Sequence, residues 1–212
     1  MNDRLVNERY VTITGIVKPA REVFQVRYST EHKQQTRDKL LASSGALAKR
    51  GGFASTGVAG LMKAIGLTGG AFYNHFPSKD DLFTEVVRQE LCKSPLARLA
   101  NQGASRERLV RCLQQYLSLA HLHNPEGGCP LPPLGVEIAR AERPVREEAE
   151  HWLVSLHSAW SQTLEDEALA WVLISQCVGA LVIGRMLASE SVQTQLLQAN
   201  RSCVERALNE SC

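Results

Sequence analysis

The chain has 212 residues, 44% of them hydrophobic and 22% charged, with a formal net charge of +2. That is enough chain for one or two domains with real cores, and the composition is ordinary for a soluble protein. No strand-rich block, internal repeat or low-complexity tract appears. The charge is unevenly spread: residues 1–93 carry fourteen Lys/Arg against nine Asp/Glu, whereas residues 94–212 carry ten against thirteen. A basic first part and an acidic remainder suit a nucleic-acid module joined to one that never touches nucleic acid. Six cysteines, at 92, 112, 129, 177, 203 and 212, form no CxxC pair, and no basic-then-apolar leader precedes a cleavage site. The expectation is a reduced, cytoplasmic protein.

Residues 1–25, with the β-like run Tyr10 to Thr14, stand outside the helical pattern and read as an unassigned arm, mobile or upstream of the natural start. From about Thr30 the pattern is helical nearly to the end. A first helix is expected near 31–50, although Gly45 inside it costs about 1 kcal/mol relative to Ala. A second is expected near 57–64, with Thr56 as its cap and Val58, Leu61, Met62 and Ile65 on one buried face. Gly66 fits the left-handed residue that commonly stops a helix.

Thr68 then caps a third, short helix near 68–75. Leu67, Phe72 and Phe76 point inward, leaving Thr68, Gly69, Gly70, Tyr73 and Asn74 for the surface. Pro77 blocks continuation. Ser78 restarts a helix near 79–93, with Asp80 and Asp81 in the first turn, where the helix dipole favours them. A loop from Ser94 to Ala104 follows.

Beyond it, a fifth helix near 105–123 carries Leu109, Leu113, Tyr116, Leu117 and Ala120 on one face. A Gly/Pro-rich loop over 124–133 precedes a short sixth helix near 134–141. Pro144 opens a seventh, with Val145, Ala149, Trp152, Leu153, Leu156 and Trp160 on a shared face. An eighth, about 165–188, contains the uncharged run 168–184, and a ninth spans about 191–209. The uncharged run is at the bottom of the membrane-spanning range and is interrupted by Ser175 and Gln176. A soluble helix buried on nearly all sides is the better reading, and no membrane partner is expected.

Two short helices joined through a glycine turn make a helix-turn-helix candidate, whose second helix enters the major groove. Tyr73, His75 and Lys79 offer a phenol, an imidazole and an ammonium within seven residues, all suited to phosphate. Gly69 and Gly70 let backbone amides at the helix start approach a phosphate or a base edge.

The segment from about Gln34 to Leu91 resembles the DNA-binding domain of TetR-family transcriptional regulators. The matching residues are Thr36-Arg37 with Leu40-Leu41, Gly51-Gly52-Phe53, Thr56-Gly57-Val58, Ala64 to Leu67, Gly70 to Phe76, and Ser78 to Phe83. More weakly, Gly128 to Leu131 with Leu134 to Arg140 resembles the ligand domain of one branch of that family. The resemblance implies an all-α fold: a three-helix DNA-binding domain at 31–93, then a ligand-binding and dimerisation bundle at 105–212. It implies that Tyr73, His75 and Lys79 hold the phosphate backbone, with Thr56 counted among them, while Thr68, Gly69, Gly70 and Asn74 face the bases. With glycine at both 69 and 70, base specificity rests more on Asn74, Thr68 and DNA shape.

The function expected from this is a ligand-responsive regulator, a repressor released from a near-palindromic double-stranded operator by a small molecule. Tyr116, Trp152, His157, Trp160 and Cys177 are candidates to line its pocket in the bundle. The helices at about 165–188 and 191–209 are expected to form the homodimer. Cys129, in a loop read as exposed, is a candidate redox residue, although no neighbouring cation in sequence lowers its pKa. His121, His123 and Cys129 invite a metal, but imidazoles two apart on a helix diverge, so neither metal nor cofactor is expected. The competing readings are an all-helical enzyme, for which no paired-carboxylate or nucleophile–base constellation can be placed, and an interaction protein whose helix-turn-helix is only scaffold.

Overall fold

The computed structural model describes residues 30–100 and 105–210, and every element among them is a helix. The proposed arm at 1–25 lies outside the described residues. Helix α1 (Thr30–Gly51) packs on α3 (Lys79–Lys93), and α2 (Val58–Ala64) packs on a 3-10 helix, Gly69–Asn74. Leu40, Leu41, Leu61, Met62, Phe72, Phe76, Leu82 and Val87 close one core beneath them. Next come α4 (Ala97–Ala100), α5 (Arg106–Tyr116), α6 (Leu119–Leu122) and α7 (Leu131–Arg140). The long helices α8 (Arg143–Leu164), α9 (Glu167–Met186) and α10 (Glu190–Glu210) complete the bundle. α8 packs on α9 and α9 on α10, while α3 lies against α8 and α1 against α7, so the core runs continuously from one part to the other.

Several local expectations change. The segment after the glycine turn is a 3-10 helix, not an α-helix. Two adjacent glycines at its start and Pro77 just beyond its end leave too few good helix formers for an α-helix, and 3-10 geometry suits such short pieces. Thr56 and Thr68 do not cap with their side chains: Gly57 occupies the cap position of α2, and Thr68 makes no capping hydrogen bond. The turn between them is held by main chain instead, with the amide of Gly66 donating to Lys63 (3.0 Å) and that of Leu67 to Met62 (2.9 Å). Gly66 has φ +77°, and this pair of bonds closes a helix around a left-handed glycine. Leu67 does not point inward but is 37% exposed.

Gly45 turns out to be required. A Cβ there would lie 2.7 Å from Glu90 Oε1. Glu90 is not free to yield, because it is buried and pairs with the equally buried Lys49 at 2.6 Å.

The expected fifth helix is two helices. It breaks at Leu117, whose carbonyl accepts from Arg201 Nε of α10 at 2.6 Å, and Ser118 Oγ then caps the His121 amide of α6. A short helix, α4, stands where a plain loop was expected. Helix α7 begins three residues early, because Pro132 and Pro133 fall in its first turn, where no amide donor is needed. By length and composition alone α9 could cross a membrane. Here Ala170, Leu173, Ile174, Cys177, Ala180, Leu181 and Gly184 face inward, and Asp166 caps its start.

Candidate DNA-binding interface

The 3-10 helix is held from beneath by Phe72, fully buried, and Phe76, 2% exposed. Their anchoring turns the residues between them outward. Tyr73 is 67% exposed, its ring standing edge-on to Phe72 at 5.3 Å. Thr68, Gly70 and Asn74 are also exposed, and Gly69 is half-buried over Ala59. The proposed base-facing residues therefore share one surface. Thr56 is half-buried at the opposite end of α2.

His75 and Lys79 are less free than their positions in sequence suggest. The ammonium of Lys79 donates to the carbonyl of Ala54 at 3.2 Å and sits 4.8 Å from the Phe53 ring centroid. His75 is half-buried, and its Nδ1 has no hydrogen-bond partner. Burial lowers its pKa, and Lys33, Arg37 and His32 lower it further. Those three residues are what the sequence reading missed. They come from the start of α1, and Arg37 lies over the Phe76 ring at 4.5 Å. With Thr36, Leu67, Thr68, Ala71, Asn74 and His75, His32 and Lys33 line an open groove of about 510 Å³ between α1 and the 3-10 helix. The signal was present in the i, i+4 spacing of Lys33 and Arg37, which puts both on one helix face.

Three polar bridges join this part of the chain to the bundle. Arg50 Nε pairs with Glu126 at 2.5 Å, and Arg88 makes a two-pronged bond to Glu148 of α8, both contacts at 2.9 Å. The Glu137 carboxylate of α7 accepts from the amides of Phe53 (2.7 Å) and Ala54 (3.3 Å), in the turn after α1. Gly52 makes that approach possible: its φ is +86°, and a Cβ on it would lie 2.6 Å from Glu137 Oε1. The turn thus carries Glu137 on its amides and Lys79 on its Ala54 carbonyl.

Of the five proposed pocket residues, Tyr116, Trp160 and Cys177 belong to the continuous core and Trp152 packs against it. Tyr116, Trp160 and Cys177 are fully enclosed, and Trp152 is half-buried. His157 is turned toward the α8–α9 surface, stacked on the 43%-exposed Trp171 at 4.3 Å with Nε2 donating to the Glu167 carbonyl. Cys129 is not exposed. It is wholly buried, and burial raises its thiol pKa.

The Cys129 amide donates to His121 Nε2 at 3.0 Å, while His121 Nδ1 donates to the Tyr116 carbonyl at 2.8 Å. These two bonds fix His121 as the neutral Nδ1–H tautomer. His123 instead faces Gln193 at 2.9 Å. Among the described residues no group of three His, Cys, Asp or Glu side chains is placed to hold a metal ion.

Residues 40–86 match the family model for bacterial regulatory proteins of the tetR family. The chain is 27% identical over 141 residues to the HTH-type transcriptional repressor NemR of Escherichia coli K12, covering 65% of this chain and 70% of that protein. It is 37% identical over 73 residues to the HTH-type transcriptional regulator AcrR of Shigella flexneri, about a third of each chain. Among solved structures, the reduced form of E. coli NemR aligns at TM-score 0.67 and 22% identity over 81% of this chain and 96% of that one. A TetR regulator of Chloroflexus aurantiacus aligns at 0.69 and 20% identity over 83% and 97%. Residues 40–86 carry a tetR-type helix-turn-helix, and the shared fold and the relatives agree with it: the chain resembles TetR/AcrR regulators and is a ligand-responsive, DNA-binding transcriptional regulator.

Proposed function

We propose that the protein is a cytoplasmic, homodimeric repressor that holds a near-palindromic operator until a small molecule binds its bundle. The observation that supports this is the exposed face of the 3-10 helix, which carries Thr68, Gly70, Tyr73 and Asn74; on this reading Thr68, Gly69, Gly70 and Asn74 meet the bases, Tyr73 meets a phosphate, and His75 and Lys79 join it once freed from their own contacts. A basic α1 edge of His32, Lys33 and Arg37 extends the phosphate-binding surface. The NemR relative is itself named a repressor. Release would follow if the effector binds one arrangement of the two reading heads better than the other. Glu137, fastened to the Phe53–Ala54 turn, is the direct mechanical link by which α7 could move Lys79.

The dimer reading rests on a stripe along α9. Val172, Val182, Ile183 and Met186 are 57, 39, 50 and 78% exposed, at helical spacing, and Val192 of α10 adds to it. Nothing stands within 4 Å of the position a Cβ would take on Gly179, midway along that stripe, so a second helix could approach closely there. An all-helical enzyme, or an interaction protein with a silent helix-turn-helix, is not favoured, because the relatives are transcriptional regulators.

The test is a gel shift with the DNA flanking the protein's own gene, against a random duplex. Lys79→Ala should weaken both and flatten the salt dependence by about one phosphate contact, whereas Asn74→Ala should change the preference between bases by roughly 1–3 kcal/mol at one position. Equal losses from both substitutions on both duplexes would contradict the assignment.

A further inference from the structure

The bundle interior holds hydrogen-bond donors that lack acceptors. The Tyr116 hydroxyl is buried without a partner, the weakly bonding Cys129 thiol being beside it, and Trp160 Nε1 and Arg185 Nη1 are buried and unpartnered as well. Tyr116 as a whole is 1% exposed. Arg185, on α9, gives its Nε to the Leu122 carbonyl at 3.1 Å and its Nη2 to the His121 carbonyl at 3.4 Å. Both acceptors are neutral, and among the described residues no carboxylate lies within ion-pair distance of the guanidinium. A half-buried positive charge answered only by main-chain oxygens is unusual, because buried charges are ordinarily paired. Tyr116 and Arg185 both contact His121, whose ring stands edge-on to Tyr116 at 4.4 Å and whose carbonyl accepts from Arg185 Nη2, so the two open donors belong to one locality. An open groove of about 380 Å³ lies beside it, with Lys93, Cys112, Tyr116, His121 and Gly128 in its wall.

What this locality lacks is an acceptor, and the uncompensated guanidinium requires that acceptor to be anionic. Besides Trp160 Nε1, the open donors are one Arg185 nitrogen and one phenol, and Arg185 is the single charge among them. A monoanion with two oxygens matches that set, whereas a phosphate dianion would be left half-neutralised and short of donors. The size of the groove suits a small organic body. We infer that the bundle binds a small organic carboxylate, one oxygen bonded by the Tyr116 hydroxyl and the other by Arg185 Nη1, with its carbon skeleton seated in the groove beside Tyr116 and His121. This rests on the reading of the bundle as the effector-binding part and names the class of effector.

The experiment is calorimetric titration of the full-length protein with benzoate and octanoate, beside benzamide, octanol and inorganic phosphate. At least one carboxylate should bind, with its neutral counterpart at least tenfold weaker and phosphate not binding. Tyr116→Phe and Arg185→Met should each weaken the carboxylate at least tenfold. Tyr116→Phe should change the melting temperature of the unliganded protein little, because its hydroxyl faces only the weakly bonding Cys129 thiol there; this variant keeps the test valid if Arg185→Met does not fold.

The inference is overturned if no carboxylate binds, if neutral compounds bind as well, or if both variants bind like the wild type. It is also overturned if Tyr116→Phe melts lower while carboxylates are inert, which would mean that an ordered water already satisfies the phenol. Operator release separates the two readings. Neutral compounds releasing DNA while carboxylates do nothing would remove the inference and leave the effector reading standing. A carboxylate that binds through Arg185 without changing operator affinity supports the site and removes its regulatory role.

Discussion

His121 shows how much one ring can be asked to do. It donates to the Tyr116 carbonyl through Nδ1 and accepts the Cys129 amide through Nε2, so protonation would set one N–H against another. Burial lowers its pKa below the ordinary 6.5; Arg185 acts in the same direction and the bond to Tyr116 opposes both. As pH falls the unfolded chain therefore takes up the proton first. The stability that the neutral ring contributes is complete above about pH 6.5 and is lost as pH falls from there toward the folded-state value. Melting curves from about pH 7.5 to about pH 5.5 should show that decline, and His121→Asn, which cannot titrate, should flatten it.

Gly45 makes a second test at this scale. Replacement by Ala would return about 1 kcal/mol of helix propensity, but overpacking against the locked Glu90–Lys49 pair typically costs about 1–3 kcal/mol. Gly45→Ala is expected to lower stability by about 1 kcal/mol in denaturant unfolding, the opposite of what the isolated helix sequence suggests. Local rules could not show this, because Glu90 lies forty-five positions further along the chain.

Among the elements, the turn between α1 and α2 carries the most consequence. Its amides belong to Glu137 of α7 and its Ala54 carbonyl belongs to Lys79 of α3, so it links bundle and reading head without a helix of its own. Glu137→Gln keeps the shape but replaces a charged acceptor by a neutral one, a change worth on the order of 1 kcal/mol per bond. If the turn transmits the effector signal, this variant should bind operator in the absence of effector with altered affinity and show a smaller effector response. Unchanged affinity and response, measured by fluorescence anisotropy, would assign Glu137 to stability alone. The α5–α6 break has the same origin as this turn: Arg201 of α10 takes the Leu117 carbonyl, and Ser118 starts a new helix. An apolar periodicity that continues past Leu117 conceals it, since the partner that ends α5 is on a distant helix.

For the whole molecule, the open apolar stripe on α9 sets the expected assembly. Ile183→Glu places a charge in the middle of that stripe and should convert a dimer into a monomer by sedimentation, while circular dichroism stays helical. Because a dimer reads two half-sites, operator affinity should fall by far more than the affinity of a single head for random DNA.

By itself, the sequence determined the all-helical class, most of the helix order and the helix-turn-helix. Each follows from short-range chemistry: apolar spacing, a left-handed glycine at 66, Ser78 capping α3 and Pro77 ending the turn before it. Only the tertiary structure decided that Cys129 is buried, that Lys79 folds back onto Ala54, that His157 turns to Trp171, and that Arg185 meets no carboxylate among the described residues. Each of those depends on a partner from another element, whose approach is set by the packing of whole helices and leaves no period in the chain to read.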